Sequence, residues 1–275
     1  MTSLVWRAPA LVAPLLGVLL WLAPPPTRAE EASTPRLAII IDDLGDRWAA
    51  GQRAIALPGH LTYAILPGTP QGARLARLAQ SAGREVILHQ PMETLEGKPL
   101  GHGGLVSGMS REEFLGTLRA NLDALPQARG VNNHMGSALT RDSEAMGWLM
   151  SELHRRGGLY FIDSRTTTGS VARRVARKEG LATAGRDVFL DHVRTNDAIE
   201  HKLIEAMQLA HQRGSAIAIG HPYPETLTVL EETLPRMERF GIRLVTVSQL
   251  LEAKQQRRDP PWHVSLFPSP TVAKN

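Results

Sequence analysis

Residues 37–41 of this chain, Leu-Ala-Ile-Ile-Ile, form an unbroken apolar run that stops at two adjacent carboxylates, Asp42 and Asp43, with Gly45 just beyond. A short run rich in β-branched residues and closed by a turn predicts a strand buried on both faces, as in a parallel sheet covered by helices. In such folds, ligands and catalytic groups collect where strands end at their C-terminal edge. Two acids placed there can divide the work, one binding a metal and the other moving a proton. The plainer alternative is that one caps the next helix and the other faces water. Neighbours on a strand point to opposite faces, so the two side chains are expected to leave the strand end in different directions.

The same rhythm of apolar run, turn and helical pattern recurs along the chain. Further strands are expected at His60–Leu66, Glu85–Leu88, Arg129–Val131, Leu159–Ile162, Val188–Leu190, Ser215–Ile219 and Ile242–Val247. Between them lie helical faces such as Phe114, Leu118, Leu122 and Leu125, opened by the capping box of Ser110 and Glu113. Thr94–Gly108 is Gly-rich and reads as a long loop. Regular strand–helix alternation predicts an α/β barrel or a doubly wound sheet. Asp42, Asp43, His89, His134, Asp163, Asp191 and His221 all fall immediately after apolar runs. A barrel gathers every strand end around one mouth, whereas an open sheet leaves the outer ones far apart. The expectation is therefore a single-domain barrel of about seven strands.

The two ends read differently from this middle. Residues 1–29 carry Arg7, an apolar Ala8–Leu22 stretch, Pro24–Pro26 and a small-residue Thr27-Arg28-Ala29 site. That is the pattern of a cleaved signal peptide, shorter than the ~20 residues of a spanning helix. The mature protein is expected in the periplasm or secreted, with no stable membrane span after cleavage. Residues 30–254 make up the barrel, and residues 255–275, polar and Pro-rich, read as a disordered tail. The absence of cysteine excludes disulfides, thiol catalysis and zinc sites with Cys ligands. A formal net charge of +4, spread along the chain and lowered when Arg7 and Arg28 leave, gives no case for nucleic acid. No protein partner is legible.

His102, His154, His201 and His211 fall in loops or on helix faces and read as ordinary surface residues. His89, His134 and His221 each follow a strand directly. Together with Asp42 and Asp43 at one barrel edge, they suit a divalent ion held by carboxylate and imidazole.

The ordered motifs IIIDDLGD, LHQPME, GVNNHMGS, FIDSRTT and AIGHPYPET resemble a divergent branch of the polysaccharide deacetylases, carbohydrate esterases with a distorted (β/α) barrel. The resemblance runs from Arg36 to Leu251. It implies Asp42 as catalytic base and Asp43 as metal ligand. His89 matches the first member of the family's His-x-x-x-His pair, but Glu93 stands where the second belongs. His134 is the expected replacement ligand, with Glu93 a substitute ligand or a support behind the ligands. The family's Arg-Pro-Gly motif is absent, and Asn132 and Asn133 occupy that strand end. His221 matches the general acid, and Asp163 is assigned to the catalytic set with Arg165 nearby.

The resemblance thus implies metal-assisted removal of acetyl groups from an N-acetylated envelope polysaccharide or oligosaccharide, with zinc the expected ion. Two other readings stay open at this level. One is a catalytically weak or inactive barrel that binds cell-wall glycan or a wall-processing partner. The other is a glycoside hydrolase pairing Asp42 or Asp43 with Asp163 or Asp191.

Overall fold

Strands and helices alternate along the chain: β1 (Arg36–Leu44), α1 (Trp48–Ile55), β2 (Thr62–Ile65), α2 (Gly72–Ser81), β3 (Glu85–Met92), α3 (Arg111–Asp123), β4 (Gly130–Met135), α4 (Ser143–Arg156), β5 (Tyr160–Asp163), α5 (Ala172–Lys178), β6 (Thr183–Gly185), β7 (Val188–Phe189), α6 (Asn196–Arg213), β8 (Ser215–Gly220), α7 (Pro224–Thr233), β9 (Arg243–Leu244) and α8 (Val247–Arg258). This is a computed structural model that describes residues 34–258. The leader read at residues 1–29 and the tail beyond Arg258 lie outside the described residues. All strand pairs are parallel, in the order β6-β5-β4-β3-β2-β1-β8-β7, with β9 beside the start of β1. The sheet curls into a distorted, open barrel within one α/β domain. Among the described residues there are nine strands, of which β6, β7 and β9 are pieces of two or three residues beside six longer ones.

Alternation along each strand sorts side chains into two layers. Leu37, Ile39, Ile41, Tyr63, Leu88, Val131 and Phe161 pack outward against helix residues such as Leu75, Phe114, Met146 and Leu203. Ala38, Ile40, Ala64, Ile87, Ile162, Ile217 and Ile219 point inward and meet Val247, Leu250 and Leu251 of α8. Full burial of each aliphatic side chain contributes about 1.5–3 kcal/mol. β1 lies between β2 and β8 and is buried on both faces, as its unbroken apolar run requires.

The last helix fills the inner face from the N-terminal edge of the strands. Glu85 Oε1 accepts hydrogen bonds from Thr62 Oγ1 and Tyr160 Oη, both at 2.8 Å, and from Ser248 N at 3.3 Å. Three strand beginnings and the start of α8 are thereby tied to one buried carboxylate. α8 continues through Arg258, so Gln255–Arg258, at the head of the stretch read as tail, are helical. Gln and Arg are good helix formers, which suits that extension.

Elsewhere the local signals act as the sequence suggests. Ser110 and Glu113 form the reciprocal capping box at α3. The Gly-rich loop before it is pinned down by Gln90 and Asn121, which both donate to Gly103 O at 2.8 Å. No helix of the described residues is long and apolar enough to cross a membrane.

Candidate metal centre

The inward parity that places Ile40, Ile87 and Ile219 in the inner layer continues past the apolar runs to Asp42, His89 and His221. Asn132 pairs with His89 in register on β4, and His134 follows two residues later on the same side. Asp43 has the wrong parity for this face. A register shift between Ile41 and Leu44 and a left-handed backbone at Asp43, φ 56°, turn it back toward the mouth. Bulges are a recurrent device for re-aiming a side chain at a site, and a non-glycine residue held at positive φ marks stored strain. The two carboxylates therefore converge rather than diverge, contrary to the simple alternation expected for neighbours.

Three donor atoms meet here. Asp43 Oδ1 lies 3.0 Å from His89 Nε2 and 2.9 Å from His134 Nδ1, and the two nitrogens are 3.2 Å apart. Asp42 Oδ2 stands 3.7 Å from the same His89 Nε2. Asp43 Oδ1 is buried and faces both imidazoles, with no hydrogen-bond donor beside it other than those two rings. A buried carboxylate oxygen facing two ring nitrogens at such spacing suits a shared cation. Three ligands at zinc-like bond lengths of about 2.0–2.2 Å lie roughly 3 Å from one another. Asp43, His89 and His134 thus form a candidate site for a metal ion.

The electrostatics follow from this crowding. Burial alone would raise Asp43, but His134 and His89 outweigh it and hold the carboxyl well below the usual range. Burial raises Asp42 above its ordinary value despite the pull of His89 and His221. For His89, burial favours the neutral ring, yet Asp42 and Asp43 push its pKa up to about 9. These directions concern the protein without an ion, and a cation would displace the His89 proton.

His221 approaches from β8. Its Nδ1 bonds Asp191 Oδ1 at 2.9 Å, and its backbone N donates to Asp191 Oδ2 at 2.6 Å. Thr226 Oγ1 donates to the same oxygen at 2.8 Å. Burial lowers the His221 pKa, but the bond to Asp191 and the nearby carboxylates raise it overall. Its Nε2 faces the centre, 3.7 Å from Asp43 Oδ2. Tyr223 packs beside the His221 ring, and Arg194 lies over Tyr223. A cavity of about 520 Å³, lined in part by Asp43, Arg47, Arg194 and Tyr223, opens alongside.

Two residues of the expected set are engaged elsewhere. Asp163 shares the outward parity of Phe161, and its carboxylate accepts from Arg165 N and Ser170 Oγ, both at 2.8 Å, shaping the loop after β5. Glu93 turns to Ser107, whose backbone N donates to Oε2 at 2.7 Å, and so anchors the Gly-rich loop. Asp191 is bound to His221 and Thr226, and Asp163 to its own loop. Asn132 has no role that its residue type alone announces. Its amide lies between Asp42 and His89 at 2.8 Å from each. The signal was present, since His89 and Asn132 end neighbouring strands with the same inward parity.

A family model described as divergent polysaccharide deacetylase matches residues 39–251. An uncharacterized protein of Haemophilus influenzae is 34% identical over 239 residues, spanning 86% of this chain and 84% of the relative. The uncharacterized protein YibQ of Escherichia coli is 37% identical over 220 residues, spanning 80% and 68%. Among solved structures, an uncharacterized protein of Agrobacterium tumefaciens has a TM-score of 0.74 at 24% identity, covering 80% of this chain and 94% of that one. The peptidoglycan deacetylase PdaC of Bacillus subtilis has a TM-score of 0.53 at 18% identity, covering 82% and 95%. These structural likenesses concern the fold.

Proposed function

The chain belongs to the divergent polysaccharide deacetylase family, and from that membership we propose that it is an exported, metal-dependent hydrolase removing acetyl groups from an N-acetylated envelope glycan. The observation that carries this reading is the convergence of Asp43 Oδ1, His89 Nε2 and His134 Nδ1, each about 3 Å from the other two. His134 supplies the imidazole missing four residues after His89. That restored donor set favours an enzyme over a barrel that only binds glycan. The signal-like sequence pattern of residues 1–29 supports export to the envelope. PdaC, which shares the fold, acts on peptidoglycan, and an N-acetyl sugar polymer of that kind is the proposed substrate class.

A divalent ion held by Asp43, His89 and His134, zinc being the expected one, would supply a Lewis acid beside the scissile carbonyl. Asp42 is the proposed base. Its burial raises its proton affinity, and it stands next to the ligand cluster without belonging to it. It takes a proton from the attacking water as oxygen adds to the amide carbon. His221 is the acid. Asp191 fixes Nδ1 and leaves Nε2 facing the centre, from which a proton passes to the departing nitrogen as the C–N bond breaks. The products are acetate and a free amine.

Elemental analysis of purified wild type and His89→Ala tests the metal centre. Wild type is expected to carry about one divalent ion per chain and the variant to lose it. Full occupancy in His89→Ala would remove His89 from the ligand set.

A further inference from the structure

We propose that Asn132 is a positioning residue whose single amide sets His89 as an Nε2 ligand and holds Asp42 in place beside it. The proposal rests on the metal-centre reading above and assigns a function to the strand end where the family's Arg-Pro-Gly motif is missing.

The argument is one of hydrogen-bond polarity. Asn132 is fully buried, so each end of its amide must be satisfied within the protein. One end lies 2.8 Å from Asp42 Oδ1, and an ionised carboxylate only accepts. The NH2 group therefore faces Asp42, and its other contact, Ser164 Oγ at 3.4 Å, also accepts. The carbonyl end then faces His89 Nδ1 at 2.8 Å and can only accept. His89 must carry a proton on Nδ1, which directs the lone pair of the neutral ring, on Nε2, at Asp43 Oδ1 and His134 Nδ1. The reversed amide would set its carbonyl against the Asp42 carboxylate and its NH2 against Nδ1. It would move the ring proton to Nε2 and block ligation. One side chain thus couples the orientation of the base to the tautomer of a ligand, a task carboxylates and backbone carbonyls perform behind other metal-bound histidines. The neighbouring Asn133 serves a different purpose. It donates to Met135 O and accepts from Ser164 N, bracing the turn that carries His134.

The test compares wild type, Asn132→Ala and Asn132→Asp by calorimetric zinc titration, acetate release and ¹⁵N NMR of the His89 ring. Asn132→Ala loses both contacts, and zinc affinity and turnover are each expected to fall about 10- to 100-fold. Asn132→Asp keeps an acceptor for His89 Nδ1–H but cannot donate to Asp42. It is expected to hold zinc within about threefold of wild type while turnover still falls at least about tenfold. That split is one that a merely structural role would not produce. Equal zinc affinity in wild type and Asn132→Ala, or equal losses in both variants, overturns the proposal. Should wild type take up no zinc, the metal reading fails separately. The ring shifts at alkaline pH then decide the tautomer alone, with protonated Nδ1 supporting the proposal and protonated Nε2 overturning it.

Discussion

Asp42 and Asp43 are consecutive in the chain, yet both turn their carboxylates on the same atom, His89 Nε2, at 3.7 and 3.0 Å. A left-handed backbone at Asp43 makes this convergence, because alternation alone would send the second acid into the outer layer. In the proposed mechanism this difference in distance separates their roles, since Asp43 lies within the donor triangle and Asp42 beside it. Asp42→Asn is therefore expected to keep the metal and the fold while lowering turnover by about 10²-fold or more. Loss of metal in that variant would place Asp42 among the ligands.

Asp191 fixes the tautomer of His221 and, with Asp43 and Asp42, raises its pKa against the effect of burial. An acid and a base flanking one centre give a bell-shaped pH profile, whose alkaline limb reports the acid. In Asp191→Asn that limb is expected to move to lower pH and turnover to fall, with metal content unchanged. The check is kcat against pH for the two proteins. An alkaline limb that stays in place would assign the acid role to another group.

The metal-free centre stores a pH dependence of its own. His89 is raised to about 9 by Asp42 and Asp43 against the effect of burial, whereas an unfolded His titrates near 6.5. A raised imidazole stabilises the folded chain fully below its unfolded pKa, and that contribution disappears as pH rises through the folded value. His221 acts in the same direction. Urea unfolding of chelator-treated protein should therefore give a stability decline between about pH 6.5 and pH 9, flattened in His89→Gln. A decline of equal size in that variant would locate its source elsewhere.

Glu93 holds Ser107 rather than the histidines. Glu93→Gln is expected to leave zinc affinity unchanged and to speed amide hydrogen exchange in residues 94–108. A 10- to 100-fold loss of affinity, the size typical for a group supporting a ligand, would return Glu93 to the metal centre.

At the opposite edge of the strands, Glu85→Ala leaves the Tyr160 and Thr62 hydroxyls and Ser248 N without their shared acceptor. Each buried unsatisfied group costs about 1–3 kcal/mol. The urea midpoint should fall while zinc affinity stays that of wild type, and an unchanged midpoint would show that water replaces the carboxylate.

The fold was largely legible because its signals are local and repeated. The five-residue run before Asp42 demanded a doubly buried strand, and Ser110 with Glu113 announced a helix start that the structure contains. Strand ends also directed attention to His89, His134 and His221. What sequence position alone could not supply was the direction of each side chain. Asp163 looks equivalent to Asp42 as a strand-end acid, yet it shares the outward parity of Phe161 and serves its own loop. Asp43 reaches the centre only through a backbone irregularity that residue types do not encode. Asn132 does not stand out in the sequence, because an amide neither titrates nor binds metal strongly and its contacts to Asp42 and His89 are long-range.

The most direct test is acetate release from an N-acetylglucosamine oligomer and from peptidoglycan, measured with wild type before chelation, after chelation and after zinc is restored. Release that stops with chelator, returns with zinc and is lost in Asp42→Asn is the expected result. No acetate from any N-acetylated glycan by zinc-loaded wild type, or release indifferent to chelator, would contradict a metal-dependent deacetylase and leave glycan binding as the function of the barrel.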